Sequence, residues 1–194
     1  MIIRTTKPLR PRDPHDHYPT PAGLIGACLE PFADRFARPF ILDIGAGDGA
    51  WGRAARAIWP NAHITGAELR AVEPAPEYDH WHAGDFRALP ESLFDLVIGN
   101  PPYMLAEACV RRGLRSIYGD GAVVMLLRLA FLEGQARGRG LWREHPPTRV
   151  RVLTRRPSFT GNGKTDATAY AVFEWAAEPA KRSALDWLDW GAAS

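Results

Sequence analysis

The chain has 194 residues, 46% hydrophobic and 24% charged, which fits one globular domain with a sizeable core and argues against a second full domain. A net charge of +2 says little about partners, and the two cysteines, Cys28 and Cys109, lack the spacing of a disulfide framework or a zinc site. No stretch approaches the roughly 18 apolar residues of a membrane-spanning helix, and Met1 to Lys7 lacks the apolar core of a secretory signal, so a soluble, cytoplasmic protein is expected.

Residues 1–20 are rich in Pro, His and Asp and read as an extended arm. A helix is predicted after Thr20-Pro21, with Thr20 as N-cap, Pro21 at the first helical position and Leu24, Ile25, Cys28, Leu29 and Phe32 on one face. Phe40 to Ile44 reads as a buried strand, followed by Gly45-Ala46-Gly47-Asp48-Gly49 and a helix from Trp51 to Ile58. His63 to Glu68, Tyr78 to His82 and Phe94 to Gly99 are the next strands, and Leu105 to Ile117 the next helix. Ala122 to Leu127 is then a strand, Leu129 to Arg143 contains a helix, and Arg149 to Thr154 and Thr168 to Trp175 are the closing strands. Ser183 to Trp190 reads as a short amphipathic helix or a tail. The domain is expected to span 21–178, with a C-terminal tail over 179–194.

Strands alternating with helices, then two strands joined only by a loop, predict a doubly wound, mostly parallel α/β sheet with a hairpin at one edge. In such sheets ligands bind at the carboxyl ends of the strands. Three groups of residues fall at those ends. Glycines in Gly45-Ala46-Gly47-Asp48-Gly49 let the backbone approach a ligand closely. Glu68 ends the second strand with a pair of acceptors. Asn100-Pro101-Pro102-Tyr103 follows the fourth strand: Asn100 brings a side-chain carbonyl, Pro101 a main-chain carbonyl, and the two prolines offer no competing N–H. Tyr103 adds a flat face.

Asn100-Pro101-Pro102-Tyr103 resembles the catalytic tetrapeptide of S-adenosylmethionine-dependent amino-methyltransferases, which act on a planar, conjugated nitrogen. Asp43-Ile44-Gly45-Ala46-Gly47-Asp48-Gly49 resembles the first motif of the same class I family, and the G-x-G-x-G spacing differs from the G-x-G-x-x-G of dinucleotide-binding loops. The resemblance implies a seven-stranded Rossmann-like methyltransferase sheet whose final strand is antiparallel, and S-adenosylmethionine as cofactor. It implies that Glu68 bonds the ribose hydroxyls, that Asp85 accepts from the cofactor adenine, and that Phe86 packs on its ring. Asp16-His17-Tyr18-Pro19-Thr20-Pro21 resembles the family's tenth motif, which implies that Tyr18, Thr20 and Pro21 close over the methionine end.

Phe159, in the polar loop from Arg156 to Asp166, matches the aromatic that N6-adenine methyltransferases stack on a flipped-out base opposite the tyrosine; alternatively it anchors the loop in the core. Arg156 and Lys164 flank the loop and are candidates for phosphate contacts. Eleven arginines between Arg111 and Arg156 face only three acids, as a polyanion-binding surface would require. The resemblance is therefore to small DNA N6-adenine methyltransferases, with double-stranded DNA as the expected partner. Because there is no added target-recognition domain, a partner chain or homodimer is a further expectation. RNA bases and protein glutamine are the alternative targets, and a non-catalytic nucleic-acid-binding subunit is the alternative of another class. Histidines 15, 17, 63, 80, 82 and 145 form no metal set, and no metal is expected.

Overall fold

The computed structural model describes residues 19–159, 165 and 167–191. Five parallel strands form first: β1 (Phe40–Ile44), β2 (His63–Glu68), β3 (His80–Ala83), β4 (Phe94–Gly99) and β5 (Ile117–Arg128). Helices α1 (Ala22–Leu29), α2 (Ala50–Ile58) and α3 (Ala106–Leu114) are interleaved with them. Short helices α4 (Gln135–Arg139) and α5 (Leu141–Glu144) precede β6 (Arg149–Leu153), β7 (Tyr170–Ala176) and β8 (Ala184–Leu188).

The eight strands make one sheet in the order β3-β2-β1-β4-β5-β7-β6-β8. Strand β7 runs antiparallel to both neighbours, and the other pairings are parallel. The centre of the sheet is buried on both faces, which is why β1, β4 and the second half of β5 are largely apolar. Alternate residues supply opposite layers. Leu96 and Ile98 of β4 pack with α1 and α2, whereas Val97 packs with α3 and α5.

Several boundaries differ from the sequence expectation. Helix α1 is capped by Pro21 without a side-chain cap, because the Thr20 hydroxyl is engaged elsewhere. The stretch from Leu129 to Arg143 is broken into a 3₁₀ turn, α4 and α5; Gly134, at φ +123°, takes a backbone that a continuous helix cannot contain. Tyr78 is not in a strand. Its ring fills space that a Cβ on Gly52 would occupy at 2.6 Å, and β3 starts at His80.

The expected seven strands are eight, since Ala184–Leu188 is neither helix nor loose tail but pairs in parallel with β6. The outer backbone groups of β6 take partners from this segment, and Ala184 N–H donates to Thr148 O at 2.9 Å. The β6–β7 hairpin therefore lies one strand inside the edge. Cys28 and Cys109 are buried free thiols, pushed up to about 12 by burial. Among the described residues, no helix is long and apolar enough to cross a membrane.

Candidate active site

Strand order reverses between β1 and β4, and the carboxyl ends of β1, β2, β4 and β5 open there into a cavity of about 560 Å³. That volume lies within the roughly 300–1,000 Å³ of small-molecule sites. Gly45, Ala46 and Gly47 line one wall. Their turn hangs from β2: Gly45 N–H and Ala46 N–H donate to Ala67 O at 2.9 and 3.1 Å, and Gly47 N–H donates to Glu68 Oε2 at 2.8 Å. Positive φ at Gly45, Gly47 and Gly49 makes this path one that residues with a Cβ rarely follow. Gly49 is the N-cap of α2 and does not line the cavity.

Glu68 lines the same cavity, and its Oε1 accepts from Arg70 N–H and Nε at 2.9 Å each. Burial pushes its carboxyl up, but the hydrogen bonds from Arg70 and Gly47 outweigh burial and hold it below the usual range. Asp43 lies outside the lining and is fully buried. Tyr78 O–H donates to its Oδ2 at 2.7 Å, while Oδ1 has no hydrogen-bond partner among the described residues. Burial pushes Asp43 up to about 7, with the Tyr78 hydrogen bond opposing and the Glu68 charge adding.

Of the pair expected against the cofactor adenine, only Phe86 lines the cavity. Asp85 instead accepts from Arg87 N–H and Nε at 2.9 Å and caps its own 3₁₀ turn. Local geometry explains the correction, because the guanidinium two residues on closes over the carboxylate. Cys109 of α3 is part of the lining, which the sequence reading missed.

The opposite wall holds Asn100, Pro102 and Tyr103. Asn100 Nδ2 donates to Thr20 Oγ1 at 3.2 Å, so the amide NH₂ faces Thr20 and the carbonyl is turned away from it. The same hydroxyl accepts from Trp51 Nε1 at 3.2 Å. Thr20 thus joins the N-terminal segment, α2 and the end of β4 at one atom. Pro101 is buried beside the glycine loop, where a Cβ on Gly45 would stand 3.5 Å from its Cα. Pro21 does not line the cavity; Tyr18 and Lys164 lie outside the described residues.

Tyr103 is placed differently from an open stacking platform. The Arg128 guanidinium carbon lies 3.5 Å from its ring centroid, and its hydroxyl is 2.7 Å from that of Tyr170. Phe159 is only 5% exposed and sits edge-on to Tyr170, with centroids 5.1 Å apart. It packs in the core instead of facing Tyr103 across a slot, and it is not in the cavity lining. Arg156 is exposed. Arg128 and Tyr170 were not singled out in the sequence; the signal was the strand register, which pairs them across β5 and β7.

The arginine-rich segment is not a continuous bare cationic face. Arg111 pairs with Glu107 and Glu144, Arg149 with Asp186, and Arg151 with Glu174 at 2.5 Å. Arg137 and Arg155 lie over the Phe131 and Trp190 rings. Arg112 bonds Pro90 O at 3.0 Å. Much of the apparent excess is structural.

This sheet order, with a glycine loop after β1 and an acid ending β2, is the class I S-adenosylmethionine-dependent methyltransferase fold. S-adenosylmethionine is the cofactor that goes with it. Solved structures share the fold: an inferred RNA methyltransferase from Pyrococcus horikoshii has a TM-score of 0.66 at 14% identity, covering 84% of this chain and 88% of its own. An inferred class I S-adenosylmethionine-dependent methyltransferase from Listeria monocytogenes has a TM-score of 0.65 at 13% identity, covering 90% of this chain and 66% of its own. A curated relative, the release factor glutamine methyltransferase of Bordetella pertussis, is 32% identical over 134 residues, covering 56% of this chain. The chain spans 48% of that relative's length. No protein-family model matches.

Proposed function

We propose that this chain is an S-adenosylmethionine-dependent methyltransferase acting on a conjugated amino nitrogen, and that the nitrogen is N6 of adenine in DNA. The observation that carries the reading is that Asn100, Pro102 and Tyr103 line the same cavity as the glycine loop and Glu68. The lining fits the cofactor. Gly45 and Gly47 turn the backbone of the loop along the cavity at positive φ, Glu68 brings acceptors for a pair of hydroxyls, and Phe86 offers a ring face. When bound, S-adenosylmethionine supplies an electrophilic methyl group.

The chain's own contribution is orientation. A conjugated amine is a poor nucleophile because its lone pair is delocalised. Acceptors at the Asn100 side-chain carbonyl and the Pro101 main-chain carbonyl draw its two N–H groups out of the ring plane and localise that lone pair. Thr20 fixes which end of the Asn100 amide can accept. No strong base is needed before attack, because the N–H groups become acidic as the new bond forms, and the two carbonyls stabilise the growing positive charge.

Adenine is favoured over glutamine by Thr20. Its hydroxyl, from the segment resembling the family's tenth motif, meets Asn100 at the cavity wall. Protein glutamine is the second reading, favoured by the curated relative at 32% identity. A partner chain or second copy that aids target selection belongs to the same proposal.

Expression in a host lacking adenine methylation, followed by nucleoside mass spectrometry of DNA and RNA, tests the assignment. N6-methyladenine is expected in DNA with the wild type and absent with Asn100→Ala. Methylation found only in RNA or on protein glutamine overturns the DNA assignment, and N6-methyladenine persisting with Asn100→Ala overturns the role of Asn100.

A further inference from the structure

The arginine over Tyr103 is placed unlike its neighbours. Arg128 ends β5 at the cavity mouth and is held there by register, directly opposite Tyr170 of β7. Its guanidinium carbon lies 3.5 Å above the Tyr103 ring, and it interacts with the Tyr170 and Tyr103 hydroxyls. No carboxylate pairs with it among the described residues, although Arg111, Arg149 and Arg151 all have one. Its Nε is buried without a hydrogen-bond partner. A partly buried cation usually has an anionic partner. This one has a ring face and two phenols.

With its carbon 3.5 Å from the ring centroid, the guanidinium fills the stacking position on this face of Tyr103. A target ring that stacks on this face of Tyr103 must displace the guanidinium, which then needs another partner. We propose that Arg128 binds an anionic oxygen of the target, a phosphate of the nucleotide that carries the reacting amine; this rests on the adenine reading above. Arg128 holds the Tyr103 face while the site is empty of target, then exchanges that face for the phosphate as the base enters. The cation–π contact with Tyr103 and a charge-assisted hydrogen bond to phosphate are of comparable strength, so the exchange is balanced. Selection follows. A flat amine arriving without an adjacent anion must displace Arg128 with nothing in return.

The test compares wild type with Arg128→Met and Arg128→Lys. The probe is a short duplex carrying a mismatched adenine, whose extrusion is easier than that of a paired base. Binding is measured across a salt series, and S-adenosylmethionine affinity and thermal unfolding are measured alongside. Loss of one phosphate contact lowers the slope of log affinity against log salt by about 0.7–0.9. Arg128→Met is expected to show that drop and at least about tenfold weaker binding, with cofactor affinity and melting unchanged. Arg128→Lys, which keeps the charge, is expected to keep the slope. A full slope in Arg128→Met overturns the assignment. Tighter duplex binding by Arg128→Met does so too, since Arg128 is then only a plug, and so does a tenfold loss of cofactor affinity, since its anion is then the cofactor carboxylate. A wild type with no salt-dependent duplex binding sinks the adenine reading and this proposal together, whereas wild-type binding with an unaltered slope in the variant sinks this proposal alone.

Discussion

Gly99 is the residue on which the position of Asn100 depends. It has φ +152°, and a Cβ built on it would stand 2.5 Å from the Ile44 carbonyl oxygen and 3.4 Å from the Ile44 carbonyl carbon. Both obstructing atoms are backbone of β1, so no side chain can swing aside. In Gly99→Ala the strained backbone costs about 1–3 kcal/mol and the overlap a further 1–3 kcal/mol. The sum of about 2–6 kcal/mol is a large fraction of the roughly 5–15 kcal/mol that stabilises a typical domain. At about 2–4 °C per kcal/mol, the melting temperature is expected to fall by roughly 5–20 °C. Relief of the clash also moves β4 away from β1 just before Asn100, and a shift of about 1 Å in a reacting group lowers the rate on the order of a hundredfold. Circular dichroism melts and methylation at a temperature where the variant remains folded separate the two effects. A variant melting within about 2 °C of wild type with full activity would falsify the claim that backbone contact between β1 and β4 sets the Asn100 geometry.

Two other substitutions probe the supports of the site. Thr20→Val removes the acceptor shared by Trp51 Nε1 and Asn100 Nδ2, both at 3.2 Å. The buried Trp51 N–H is left unpaired, costing about 1–3 kcal/mol. Methylation should fall about tenfold or more, with Thr20→Ser close to wild type; equal activity in Val and Ser variants would show that the hydroxyl does not orient the amide. Asp43 gives a pH dependence of defined sign. Between about 4 and about 7 the unfolded carboxyl has lost its proton and the folded one has kept it, so this group's contribution to stability falls as pH rises through that window and is level above it. Asp43→Asn lacks that slope. Denaturant unfolding at pH 5 and pH 8 should show the variant gaining on wild type at the higher pH, and a constant difference between them would remove Asp43 as the cause.

How much was legible in the sequence depended on whether local chemistry or chain crossing decided each feature. Strands β1, β2 and β4 were bounded correctly, β1 and β4 because burial on both faces leaves a largely apolar run. The glycine loop and the Asn100 to Tyr103 turn could be read because their geometry is set by glycines and prolines within a few residues. Asp85 misled because its partner, Arg87, satisfies it locally, and no pattern distinguishes an acid that waits for a ligand from one already paired. Phe159 misled for a related reason, since an aromatic in a polar loop reads alike whether it packs inward or faces a target.

Only tertiary structure decided the rest. Ala184–Leu188 became a strand because β6 had an unpaired edge within reach, a fact absent from the segment's own periodicity. Most of the arginine surplus was absorbed by acids, carbonyls and rings brought close by the fold, so charge counted along the chain overstated the bare charge on the surface. Arg128 came to rest on Tyr103 because β5 and β7 pair in one register, joining residues 42 positions apart from Tyr170 and 25 from Tyr103. By itself the sequence determined the order of the sheet's inner strands, the glycine turn after β1 and the proline turn after β4. The fold alone determined that Arg128 lies over the Tyr103 ring in the cavity, because long-range register has no local signature.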